Sequence, residues 1–153
     1  ILFISANHNN HILSASKKYM KYEENYKHSE LTERIIKEAY YVYNKLGQGF
    51  LEKVYENALF IRLKNTGFNV SQQYPVNVYF ENELVGEYFA DILIEEKVIL
   101  ELKAIEKLGA IHEVQLVNYL KATKIEVGLL INFGPKIEVK RKVFTKELDA
   151  EGR

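Results

Sequence analysis

Two carboxylates and an ammonium group, Asp91, Glu101 and Lys103, interrupt a stretch that is otherwise largely apolar, FADILIEEKVILELK from Phe89 to Lys103. Aliphatic runs flank Glu95-Glu96-Lys97, so the stretch reads as a β-hairpin with those three residues as its loop. Ile94 then faces Val98, Ile92 faces Leu100 and Ala90 faces Leu102, giving one wholly apolar face. Because side chains alternate along a strand, the other face sets Asp91 against Glu101 and Phe89 against Lys103, with Leu93 and Ile99 nearer the turn. A two-residue loop would set Asp91 against Leu100 and scramble both faces, so the apolar pattern selects the register that joins the acids.

Directly opposed residues on neighbouring strands have Cβ atoms about 5 Å apart, and like charges there are destabilising unless something compensates them. A divalent cation is one compensator. Mg²⁺ takes oxygen ligands, commonly one or two carboxylates completed by waters and phosphate oxygens. Lys103, on the same face as Glu101, is placed to hold an attacking water or to stabilise charge developing on a phosphate. The competing reading is an ion cluster on a solvated strand face, and the spacing by itself leaves both open.

Other polar groups share helical faces. Glu52 and Tyr55 lie three residues apart in a predicted helix, although a first-turn glutamate is ordinarily there for the helix dipole. His112, Gln115 and Tyr119 bring imidazole, amide and phenol to one face of another helix, where a semi-exposed polar face is the plainer account. Tyr40, Tyr41 and Tyr43 would suit a protein-docking face, although such aromatics also serve as core and half-buried surface residues. Lys136, Lys140, Arg141, Lys142 and Lys146 gather positive charge late in the chain, suited to protecting an edge strand or to touching phosphates. His8 and His11 are metal-ligand types, but they sit in an Asn-rich segment without periodicity.

The elements that must position these groups follow from periodicity. Leu31, Ile35, Ala39, Val42 and Leu46 predict a helix over 29–46 with Ser29 as its cap, ended by Gly47-Gln48-Gly49. A second helix is predicted over 51–66, with Leu51, Val54, Tyr55, Ala58 and Leu59 as its apolar stripe and Gly67 in the left-handed position beyond it. Strands are expected at 70–73, 76–80 and 84–87, the last two turning at Glu81-Asn82-Glu83. The central hairpin follows, then a helix over 108–123 with Ile111, Val114, Val117 and Leu120 apolar. Residues 127–132 read as a buried strand, Gly134-Pro135 as a turn and 137–144 as an edge strand.

The 153 residues suit a single domain, and hydrophobic and charged shares of 47% and 27% are those of a soluble globular protein. There is no cysteine, hence no disulfide framework, and the expected compartment is the cytoplasm. With 21 basic and 21 acidic residues the chain lacks the overall basicity of a nucleic-acid binder, so any such contact must be local. No apolar run is long enough for a membrane span. Residues 1–28, rich in Asn, His, Ser, Lys and Tyr, read as a disordered tail or extension, with Met20, the only methionine, as the expected natural start.

In order and spacing, Asp91 followed by Glu101-Leu102-Lys103 resembles the D…(D/E)xK signature of the PD-(D/E)xK nuclease superfamily, and Gln115 with Tyr119 resembles the QxxxY helix motif of its RecB-like branch. Gly49, Glu52 and Tyr55 match the motif that names the GxxExxY proteins within it, and the likeness runs over about 28–144. Tyr43 and Gln48 depart from that pattern, standing where a histidine and a proline are common. The resemblance implies an α/β (α+β) restriction-endonuclease-like core, a mixed central sheet flanked by helices, occupying 29–148 with a tail at 149–153. It also implies a nuclease that hydrolyses phosphodiester bonds by metal-activated water. Asp91 and Glu101 would bind Mg²⁺ or Mn²⁺, with the Leu102 carbonyl as a further ligand and Glu52 adding a carboxylate directly or through water. Lys103 would orient or deprotonate the water, and Gln115 and Tyr119 would position the site or the nucleic-acid backbone. The implied partner is nucleic acid, DNA ahead of RNA, with a homodimer as the assembly to test for. The alternative is a nucleic-acid-binding or regulatory module that keeps the fold with little or no turnover.

Overall fold

The computed structural model describes residues 26–145. Residues 1–25 of the expected tail, with His8, His11 and Met20, lie outside them, as do Lys146 and the expected tail at 149–153.

Thr32, Ile35, Ala39 and Val42 recur at three- and four-residue steps and form the buried stripe of helix α1 (Ser29–Leu46). Ser29 is its first helical residue rather than its cap. His28 occupies the cap position with φ 54°, and no side chain caps the helix there. Tyr41 carries the Arg62 guanidinium 3.8 Å from its ring centroid, and the Tyr43 hydroxyl donates to the Gly134 and Pro135 carbonyls at 3.0 and 2.9 Å. Two of the three clustered tyrosines therefore hold α1 to its neighbours.

Helix α2 (Glu52–Asn65) buries Tyr55, Glu56, Leu59 and Leu63, so its inner stripe differs from the one expected. Leu51 is the cap and 81% exposed, and Val54 is exposed too, because four apolar neighbours within eight residues spread over more than one helical face. Gly67 ends the helix as expected. Its N–H donates to the Lys64 carbonyl at 3.1 Å and the Phe68 N–H to Leu63 at 3.1 Å, the paired bonds of a Schellman motif.

Five strands make one sheet in chain order: β1 (Val70–Phe80), β2 (Glu83–Ile94), β3 (Val98–Lys103), β4 (Val127–Phe133) and β5 (Ile137–Val143). All neighbours are antiparallel except β3 and β4, which helix α3 (Ala110–Thr123) connects as a crossover. The strands expected at 70–73 and 76–80 are one, since β1 is an edge strand that tolerates Pro75. Likewise the strand expected at 84–87 and the first hairpin arm are one continuous β2. Helices α1 and α2 pack with Ile92, Ile94, Val98, Leu100 and Leu102, and α3 packs with Leu93, Ile99 and Leu130 through Leu116, Tyr119 and Leu120. This is the α+β architecture expected, a mixed sheet flanked by helices.

Helix α3 departs from expectation on one face. Ile111 and Val114 are 75% and 56% exposed instead of packed. Among the described residues no helix is long and apolar enough to cross a membrane.

Candidate active site

The hairpin register holds for three pairs, Ile94 with Val98, Leu93 with Ile99 and Ile92 with Leu100, and then the ladder stops. Asp91 is the reason. Its Oδ2 accepts the Leu102 N–H at 2.7 Å, taking the place of a strand carbonyl. On the other side of β2, ladder pairs flank Asp91 at Gln72–Ile92 and Tyr74–Ala90, and Gln73 between them has φ 54°, outside strand conformation. The irregularity changes the expected faces. Ala90 packs with Leu93 and Ile99 rather than opposite Leu102, and the β2–β3 ladder ends before Phe89 could pair with Lys103, leaving the Phe89 ring exposed.

Asp91 and Glu101 are thus not a ladder pair, yet both are buried and each carboxyl feels the charges around it. Burial pushes the Asp91 carboxyl up to about 6; the Leu102 N–H opposes this, and the charges of Glu56 and Glu52 add to it. Burial, then the Asp91 charge, pushes Glu101 up to about 8, with Lys103 opposing. Glu101 Oε1 has only long contacts, to Lys103 Nζ at 3.5 Å and Gln115 Nε2 at 3.4 Å. Glu101 Oε2 is buried and has no hydrogen-bond partner among the described residues.

Gln115 also donates to the Tyr119 hydroxyl at 2.9 Å, so the α3 motif enters the site as a linked amide and phenol. His112 does not join them. Its Nδ1 accepts the N–H of Gly109, the cap residue of α3, at 2.9 Å, so the imidazole is spent on closing the start of the helix. Glu52, half-buried at the first residue of α2, acts on both acids through its charge. Among the described residues no three His, Asp or Glu side chains converge as a ready ligand set.

The other residues of its motif hold the loop that presents Glu52. Gly49 has φ +104°, a conformation a side chain would strain. The Tyr55 hydroxyl donates to the Gly47 carbonyl at 2.6 Å and accepts the Phe50 N–H at 3.3 Å, while its buried ring stacks on Phe133 at 4.6 Å.

Two residues near the site escaped the sequence reading. Glu56 is buried one helical turn beyond Glu52, and its Oε1 accepts from Lys53 (2.8 Å), Gln72 (2.7 Å) and Gln73 (2.9 Å). These bonds hold its carboxyl below the usual range against the opposing effect of burial. Asn132, fully buried on β4, bonds both the N–H and the carbonyl of Ile105 at 3.0 and 2.9 Å, fixing the chain just after Lys103. The signals were a second glutamate four residues after the first, and an asparagine in an otherwise apolar run.

A paired acid site with an orphaned, desolvated carboxylate oxygen fits a hard divalent cation, whose ligands are oxygens. Asp91 and Glu101 would be the residues to hold one.

A family model described as the PD-(D/E)XK nuclease superfamily matches residues 29–143, from α1 to the end of β5. The crystal structure of SSO0001 resembles the chain with a TM-score of 0.50 at 20% identity, covering 63% of this chain and 52% of that one, about half its length. At that identity the likeness is one of fold, and the fold is restriction-endonuclease-like. No curated protein matches the chain.

Proposed function

The chain belongs to the PD-(D/E)XK nuclease superfamily, and from that premise we propose that it is a metal-dependent phosphodiesterase cutting nucleic acid by attack of water on phosphorus. The observation that carries the reading is the buried Glu101 Oε2, without a hydrogen-bond partner among the described residues, in a site with Asp91. A group desolvated in this way costs roughly 1–3 kcal/mol or more unless a ligand satisfies it. Asp91 and Glu101 would hold Mg²⁺ or Mn²⁺, with the Leu102 carbonyl and, directly or through water, Glu52 adding oxygens, and the ion would supply Lewis-acid activation of water and phosphate.

The chain's own groups do the rest. Asp91 and Glu101 would bind a cation only when ionised, which their burial resists. Lys103, mostly buried and 3.5 Å from Glu101, orients the attacking water and offsets charge that develops on the phosphate. Gln115 and Tyr119 restrain the site edge where the strand passes. Gly49, Glu52 and Tyr55 support placing the chain among the GxxExxY proteins, with the glycine and tyrosine building the loop and the glutamate adding negative charge.

Calorimetry with Mg²⁺ and Mn²⁺ on wild type and on Asp91→Ala/Glu101→Ala, followed by cleavage of single- and double-stranded DNA and RNA, tests this. Binding and cleavage that both vanish in the double variant support the reading. A folded wild type that binds neither metal overturns it. Metal binding without cleavage of any polymer leaves a regulatory module.

A further inference from the structure

A groove of about 870 Å³ lies between α3 and the β1–β2 hairpin. Gln115 and Tyr119 line it, and Gln115 Nε2 lies 3.4 Å from Glu101 Oε1, so the groove adjoins the candidate active site. Its walls include the exposed Ile111 and Val114 of α3 and the aromatic rings of Tyr79 and Tyr88. The charged residues lining it are Lys121 and Lys124; no acid does. Both lysines are exposed, and neither forms an ion pair among the described residues, Lys124 lying 6.0 Å from the Phe144 ring centroid.

Tyr88 is held ready for a flat ligand. A Cβ at Gly86 would lie 2.9 Å from Tyr88 Cε2, so the ring rests across backbone that only glycine leaves bare. Its other neighbour is Tyr119, with centroids 5.9 Å apart and planes 41° apart. Half of the Tyr88 surface remains in solvent, which is where a stacking partner would dock.

We propose that this groove binds single-stranded nucleic acid, with bases stacked on Tyr88 and Tyr79 and phosphates on Lys121 and Lys124, and leads the strand to Gln115 and the acid pair. Aromatic platforms beside cations are what single strands require, because each base offers an open π-face and each linkage a negative charge. A duplex hides its base faces in stacking and would meet these rings edge-on. An apolar protein segment would fit the walls but would leave two lysines without acids. The proposal rests on the nuclease reading for its direction toward the acids, not for binding itself.

The test is fluorescence anisotropy with a labelled oligodeoxythymidylate of a dozen nucleotides and a duplex of equal length, in EDTA so that cleavage plays no part. Wild type should prefer the single strand. Tyr88→Ala should weaken that binding about tenfold and Tyr88→Phe should not, because stacking needs the ring and not the hydroxyl. Lys121→Ala/Lys124→Ala, on exposed positions that do not threaten folding, should lower the log-log salt slope by about 1.4. Duplex bound as well as single strand, or unchanged binding in both the Tyr88→Ala and the lysine variants, overturns the proposal. So does a concentration-dependent dimer that Ile111→Asp dissociates with oligonucleotide binding intact, which would make the groove a contact between copies. Cleavage by wild type without single-strand preference would defeat the groove and leave the nuclease reading standing; single-strand binding without metal-dependent cleavage would do the reverse.

Discussion

The carboxylate of Asp91 accepts the backbone N–H of Leu102 at 2.7 Å, across the point where β2 and β3 cease to pair. One side chain thereby ends a ladder and brings an acid beside Glu101. The two roles separate by substitution.

Asp91→Asn keeps an oxygen for the Leu102 N–H, so its urea midpoint should stay near wild type while cation binding and cleavage fall by at least two orders of magnitude. Asp91→Ala leaves that N–H buried and unpaired, costing about 1–3 kcal/mol. That cost should be larger at pH 5 than at pH 8, because ionised Asp91 is itself penalised by burial above its folded value of about 6. Equal stability of the two variants at pH 5 would remove the structural role.

The raised carboxyls also set a pH dependence. Asp91 and Glu101 titrate at 3.8 and 4.5 unperturbed and at about 6 and about 8 when folded, so the native state holds more protons than the unfolded chain between those values. Stability from this source is fully present below about pH 4 and is lost as pH rises toward 8, at about 1.4 kcal/mol per pH unit for each extra proton. Metal-free wild type should therefore lose stability relative to Glu101→Gln as pH rises from 5 to 8. Mg²⁺ should restore it at pH 8 and not at pH 5, where the cation must displace protons. Thermal melts at matched ionic strength measure both, and parallel pH profiles of wild type and Glu101→Gln would refute the assignment.

Much of this arrangement was legible in the residues. The loop Glu95-Glu96-Lys97 and the pairs nearest it followed from apolar alternation, and α1 followed from its single clean stripe. What escaped depended on competition that periodicity does not register. A carboxylate displaced a strand carbonyl at Asp91, which turned Ala90 to the α3 side and left Phe89 in solvent. Helices α2 and α3 carry apolar residues on more than one face, and only the sheet decides which face is covered, so Leu51, Val54, Ile111 and Val114 were misplaced. Glu56 and Asn132 leave only a faint local signal, because their roles are set by partners distant in sequence, Gln72 and Gln73 for one and Ile105 for the other.

Tyr55 tests whether its motif acts through the loop. Tyr55→Phe keeps the stack on Phe133 and removes the hydroxyl that joins Gly47 and Phe50. Stability should fall by about 1–2 kcal/mol. Cleavage should fall more than the folded fraction does, because the loop that presents Glu52 loosens, and faster amide exchange at Gln48 to Leu51 would report it directly. Activity that tracks folded fraction alone would leave Tyr55 a core residue.

Glu56 gives the sharpest separation of packing from field. Its Oε1 gathers Lys53, Gln72 and Gln73, and Gln73 sits at the irregular point of β1 across from Asp91. Glu56→Gln exchanges charge-assisted bonds for neutral ones and should cost about 1–3 kcal/mol. A merely loosened site would admit water and lower the Asp91 pKa together with that of Glu101. Losing the Glu56 charge lowers Asp91 in particular, since that charge is among the leading influences that raise Asp91 and is not among the leading influences on Glu101. Carbon-13 carboxyl titration of the metal-free protein should therefore show Asp91 moving down while Glu101 moves less, with weaker Mg²⁺ binding because one negative charge has gone. Asp91 titrating as in wild type would put Glu56 outside the site.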